Sequence, residues 1–176
     1  MLNADEQMAW RRAHIPHRVR AAVANLDMKS SILQVHALIS AHDRDDPFSW
    51  RCAGDSMWEG RQAATRWLIE LIGVKMNKDG KLGRPTRKPP WPDVGLEHFD
   101  GGSANLFDLS NADAGSLAKI WKGCTQASSH PTHNSNHPPV DEQPLSRSLA
   151  VVVQHLQDTI YQRAGESLRD YVLTGP

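Results

Sequence analysis

The chain has 176 residues, 20 Lys+Arg against 20 Asp+Glu, nine His, two Cys, six Trp and 39% hydrophobic residues. That length suits a single domain, residues 1–176, with a core that needs no disulfide or structural metal. A net charge of zero excludes a protein that coats nucleic acid over its whole surface. Mean hydropathy of −0.53 without a long apolar run excludes a membrane-spanning helix.

Asn3-Ala4-Asp5-Glu6 has capping-box form and predicts a short helix to about His14. The opening MLNADEQMAWRRAHIPHRV lacks the apolar run of a secretory signal and reads as a cytoplasmic start. Pro16 cannot donate a backbone hydrogen bond and disfavours helical geometry at Ile15. The helix therefore kinks there, or a second one begins with Pro16 in its first turn and runs to about Met28. Val19, Ala22, Val23 and Leu26 give this stretch a single apolar face.

Ile32, Val35, Leu38 and Ile39 sit at helical spacing and predict a short helix to Ala41. Asp43-Arg44-Asp45-Asp46-Pro47 is a helix start signal. Ala53, Met57, Gly60, Ala64, Trp67 and Leu71 then form the seam of a long helix over 47–73, closed by Gly73. Gly60 within that seam reads as a place of close helix approach. Residues 74–112 break the pattern: Asp79-Gly80 signals a small β-hairpin, and the Pro- and Gly-rich remainder is an irregular insertion.

Leu117, Ile120, Trp121 and Cys124 stripe a helix from the Ser110-Asn111-Ala112-Asp113 cap to about Ser128. A His/Pro-rich loop spans 129–144. The last helix, 145–172, has the seam Leu145, Leu149, Val152, Leu156, Ile160, Ala164, Leu168 and Tyr171. The chain therefore reads as all-α: an antiparallel bundle of four to five helices with a long irregular insertion at about 74–112. Cys52 and Cys124, lacking CxxC spacing, read as buried reduced thiols. Trp10, Trp58, Trp67 and Trp121 read as core, and Glu59, Arg61, Arg66 and Glu70 as a solvated, salt-bridged helix face.

Two features suggest chemistry. Lys75, Lys78, Lys81, Arg84, Arg87 and Lys88 oppose only Asp79, giving +5 over residues 75–88, whereas 89–118 carries −5. A basic ribbon ending in Pro89-Pro90-Trp91 suits phosphates, with Trp91 stacking on a base. A solvated hairpin, a basic arm folded onto the acidic half and an acidic protein partner are the alternatives. The second feature is His130, His133 and His137 with Asp141 and Glu142 close behind, the ligand set of zinc or another divalent metal. His155 is a candidate fourth ligand. The alternative is a solvated loop whose histidines cap the preceding helix.

Two long helices, two shorter ones and a polar, His-bearing turn before the last helix resemble the HEPN-type helical domains of prokaryotic toxin and phage-defence systems, over about residues 16–172. Ribonucleases of that family carry Arg-x4–6-His at the end of a bundle helix, where the pair cleaves RNA without metal, usually across a homodimer. The corresponding place here runs from Lys122 to His130, with Lys for Arg and seven residues between. Arg12 and His17 have the family spacing, near the start of the chain.

The resemblance implies a small prokaryotic module that binds RNA or a protein partner without cofactor, as a homo-oligomer, in a toxin–antitoxin or defence setting. The rivals are RNA cleavage or metal-dependent hydrolysis at the His130, His133 and His137 loop, and a purely structural subunit. No motif names a reaction, so the sequence leaves open whether the protein is an enzyme.

Overall fold

The computed structural model describes residues 1–23, 60–76, 79, 82–83, 94–99, 111–129 and 142–174. The chain is all-α over these residues, with five helical stretches. The first begins as the cap predicts: Asn3 Oδ1 accepts from the Glu6 amide at 2.9 Å, and Glu6 Oε2 accepts from the Asn3 amide at 2.8 Å. From there α1 (Ala4–Ala9), a π-helical turn (Trp10–His14) and α2 (Ile15–Val23) follow without a break. The expected choice between a kink and a new start is resolved differently. One wide turn placed just before Pro16 absorbs its missing donor, and the Ile15 amide reaches back five residues to the Trp10 carbonyl.

Helix α3 covers 60–71 of the described residues. It ends at Gly73, whose φ of 78° lies in the left-handed region. The Val74 amide donates to the Ile69 carbonyl and the Gly73 amide to the Glu70 carbonyl, a Schellman end with buried Val74 sealing it. Strands β1 (Lys75–Met76) and β2 (Leu82–Gly83) then pair antiparallel, Lys75 opposite Gly83 and Met76 opposite Leu82. Helix α4 (Asn111–Ser129) packs on α5 (Glu142–Leu156), and Arg147 of α5 holds Asp113 of α4 at 3.1 Å.

One core joins these pieces. Ile15, Val19 and Ala22 of α2 meet Ala64, Leu68, Ile69 and Leu71 of α3. Leu117, Ile120 and Cys124 of α4 and Leu145, Leu149, Val152 and Leu156 of α5 complete it, with Leu96 and Phe99 from the 94–99 stretch. Each fully buried leucine or isoleucine contributes about 1.5–3 kcal/mol relative to exposure. The valine run 151–153 is helical, as its flanking seam requires, with Val152 buried.

Three expectations fail. The last helix does not run unbroken to 172. After α5 it continues through a second π-helical turn (Gln157–Tyr161) and a 3-10 turn (Gln162–Ala164), then stops at Gly165 with φ 69°. A separate α6 (Leu168–Thr174) follows, and Ala164, assigned to the seam, is exposed. Gly60 is exposed, and a Cβ there would meet nothing within 4 Å, so among the described residues no helix approaches it closely. Arg61 is not on a solvated face: it is 1% exposed, with Nε donating to the Ala22 carbonyl at 3.1 Å. Its neighbours keep the expected pairing, Arg66 to Glu70 at 3.0 Å one turn on. The helix expected over 32–41, Trp58 and Cys52 lie outside the described residues.

Candidate functional site

The π-helical turn at 10–14 shapes the surface above it. Adding one residue to a turn rotates everything that follows, and such turns are frequent at functional sites. Trp10 stands at its start, where its ring stacks on Trp67 of α3, planes 7° apart and centroids 5.6 Å. His14 tilts against Trp10 at 5.2 Å, and Phe99 meets the same indole edge-on at 6.3 Å. The Arg18 guanidinium sits over Trp67, 5.4 Å from its centroid, a cation–π contact. Trp10 and Trp67 are half-buried: both pack against the core, as read from sequence, and leave part of each ring at the surface.

A cavity of about 460 Å³ opens at this cluster, lined by Trp10, Arg12, Ala13, His14, His17, Arg18, Arg20 and Trp67. Among the described residues its wall carries three arginines, two imidazoles and two indoles, and no carboxylate. Two of the arginines meet the C-terminal stretch behind them, one of them through a hydrogen bond. Arg20 Nη1 donates to the Tyr171 carbonyl of α6 at 3.0 Å. Arg12 Nη2 lies 3.7 Å from Glu166 Oε1, while the other oxygen of that carboxylate takes Arg11 Nε at 2.9 Å. The Arg20 guanidinium, held by its hydrogen bond to Tyr171, loses less entropy when it meets an anion. A volume of this size suits one planar, small-molecule-sized group.

No protein-family model, curated protein or solved structure matches the chain. What the site can do follows from its chemistry alone.

A second cavity of about 270 Å³ lies against Arg11, with Gln7, Phe99, Ile160, Arg163 and Ala164 around it. Nearby, Tyr161 is fully buried and its hydroxyl donates to the Arg11 carbonyl at 2.6 Å. Burial, and next the neighbouring Glu166 charge, hold its phenol well above the ordinary tyrosine range, so it stays a donor. Cys124 is buried among apolar side chains, and desolvation pushes its thiol up to about 12. A thiol so protonated is a poor nucleophile, in line with the reading of a buried reduced cysteine.

Of the residues singled out from sequence, Arg12 and His17 line the cavity together. Lys122 is exposed on α4, and Lys75 lies in β1. Lys78, Lys81, Arg84, Arg87, Lys88 and Trp91 lie outside the described residues, as do His130, His133, His137 and Asp141. Among the described residues no group of three His, Cys, Asp or Glu is placed to hold a metal ion. His155 is half-buried on α5, where its carbonyl accepts from Thr159 Oγ1 at 2.6 Å. Among the described residues no helix is long and apolar enough to cross a membrane.

Sequence reasoning read Trp10 and Trp67 as core alone and did not single out His14, Arg18, Arg20 or Glu166. One signal was available: residues 7–26 carry Arg11, Arg12, Arg18 and Arg20 without a single Asp or Glu. The pairing of Trp10 with Trp67 spans 57 positions and leaves no local pattern.

Proposed function

We propose that the chain is a nucleic-acid-binding helical module that takes single-stranded RNA at the cavity between the π-helical turn and α3. One observation carries this reading: a stacked indole pair set among three arginines, with no carboxylate among the described lining residues. Arginines alone would serve any polyanion, an acidic protein included. Indoles add a planar apolar surface that a nucleobase matches and an acidic side chain does not. Bases present their faces only where the strand is unpaired. The basic 75–88 segment follows directly in sequence on the helix that bears Trp67, and it supplies further charge for the backbone. The resemblance to HEPN-type domains points to RNA as well.

Fluorescence anisotropy with labelled single-stranded RNA, single-stranded DNA and an acidic peptide tests the reading. RNA binding that falls steeply with salt, and falls further in Arg18→Ala, supports it. Binding of the acidic peptide alone would replace it with a protein partner.

A second reading has its own observation: Arg12 and His17, at the family spacing, line one cavity, and His14 lines it too. An imidazole can move a proton from a ribose hydroxyl while a guanidinium holds the phosphate charge. Cleavage of RNA in chelator by the wild type, lost in His17→Ala, supports this reading; an uncut substrate excludes it.

A further inference from the structure

Two of the three cavity arginines are held by the C-terminal stretch, and the two contacts differ in kind. Arg20 meets a neutral group, the Tyr171 carbonyl, and that contact leaves its charge available. Arg12 meets a carboxylate. Glu166 spans two guanidiniums unequally: Arg11 Nε at 2.9 Å with both side chains mostly buried, Arg12 Nη2 at 3.7 Å with Arg12 53% exposed. The first is a charge-assisted hydrogen bond; the second is longer than any hydrogen bond. Arg11 therefore anchors the carboxylate, and Arg12 is loosely attracted while facing the cavity.

The carboxylate cannot easily withdraw. The Glu166 amide donates to the Tyr161 carbonyl at 2.9 Å, directly after Gly165 in its left-handed conformation. Its carbonyl accepts from Gln157 Nε2 at 3.4 Å, and Gln157 Oε1 in turn accepts from the Leu168 amide at the start of α6. The charge is thus carried by a side chain whose backbone is fixed at a helix end and whose Oε2 is held by Arg11.

We propose that Glu166 is an internal counter-anion that competes with the ligand's phosphate for Arg12 and so sets the affinity of the cavity. This rests on the nucleic-acid reading above. A phosphate offers Arg12 two parallel hydrogen bonds, which the 3.7 Å contact does not. Binding moves Arg12 from carboxylate to phosphate, and the cost of that exchange lowers the affinity of the wild type.

The experiment is a salt titration of labelled single-stranded oligouridylate binding to the full chain, wild type against E166Q. The amide keeps the shape and an acceptor for Arg11 but removes the competing charge. The expected result is binding about fivefold tighter at low salt, with a log–log salt slope steeper by about 0.7 as Arg12 meets phosphate fully. In R12Q the same E166Q change should bring no tightening. If E166Q fails to fold, E166D serves, because one methylene less gives up the longer Arg12 contact first and tightens binding in the same direction. Wild-type binding that E166Q leaves unchanged or weakens overturns the competitor role alone. A wild type that binds no oligonucleotide overturns the nucleic-acid reading and this role with it.

Discussion

The Tyr161 hydroxyl donates to the Arg11 carbonyl at 2.6 Å, across 150 residues of chain. That carbonyl is the one Pro16 would satisfy in the five-residue register of the π-helical turn, had it an amide hydrogen. A side chain from one π-helical turn thus supplies the donor missing from the other. The Arg11–Glu166 ion pair closes the same junction one residue past Gly165. The cavity and its cations are therefore built on the contact between the two ends of the chain.

Tyr161→Phe removes the donor and leaves a carbonyl of this junction unsatisfied. Stability should fall by about 1–3 kcal/mol in urea titration, with the ring still packed. Pro16→Ala restores a backbone donor to the turn. In that background Tyr161→Phe should cost measurably less, so a double-mutant cycle on the two positions reads out the substitution of hydroxyl for amide. Additive costs would show that Tyr161 stabilises through packing alone.

The local grammar of the chain was legible: the Asn3 box, the Gly73 end, and the apolar faces of α2, α4 and α5 all occur as spacing predicts. The stop at Gly165 was not, because Leu168 returns to the same core and the seam reads straight through the break. Arg61 was misplaced for a related reason, since only the packing of α2 against α3 brings the Ala22 carbonyl to it. The site was barely legible. Spacing picked out Arg12 and His17, but the platform of Trp10 and Trp67 exists only in three dimensions. Charge blocks counted along the chain favoured residues 75–88 and missed 7–26, whose arginines are diluted by apolar residues serving the core.

Both raised acids make the fold sensitive to alkali. Cys124 ionises at about 12 when folded against an ordinary thiol value of 9.0, and buried Tyr161 is likewise raised. An acid raised by folding stabilises fully below its unfolded pKa, and the advantage is lost as pH climbs above it. The contribution of these two groups should be flat to about pH 9 and then fall by up to about 1.4 kcal/mol per pH unit per group. Cys124→Ala in a Cys52→Ala background should flatten the slope that begins near the ordinary thiol value of 9.0. In Cys52→Ala alone, an alkylating reagent near neutral pH should label Cys124 only after denaturation. Labelling of the folded protein would contradict its burial.

Trp67 should matter more for binding than for folding. Trp67→Phe keeps a ring on Trp10 and should lose less than about tenfold in RNA affinity. Trp67→Ala, which removes the platform, should lose more, in line with about 1–3 kcal/mol per stacked base. Trp121→Phe is the control, because Trp121 lies under Arg66 and does not line the cavity. Equal losses at both positions would trace the effect to general destabilisation, as thermal melts of the three variants would confirm.

One substitution, glycine to alanine, should act with opposite sign at two exposed positions. Among the described residues an added Cβ meets nothing within 4 Å at Gly115 or at Gly165, so their packing is silent in both cases. Gly115 lies inside α4, where alanine is the better helix former and should stabilise by about 0.5–1 kcal/mol. Gly165 has φ 69°, where a Cβ crowds the following carbonyl and should cost about 1–2 kcal/mol. The cost carries a second consequence, because Gly165 sets the position of Glu166 and, through it, Arg11 and Arg12. Gly165→Ala should therefore alter RNA affinity as well as the urea midpoint, whereas Gly115→Ala should raise the midpoint and leave affinity untouched. Parallel urea and anisotropy titrations of the two variants separate the outcomes, and a Gly165→Ala protein with unaltered affinity would mean that the helix end does not govern the cavity.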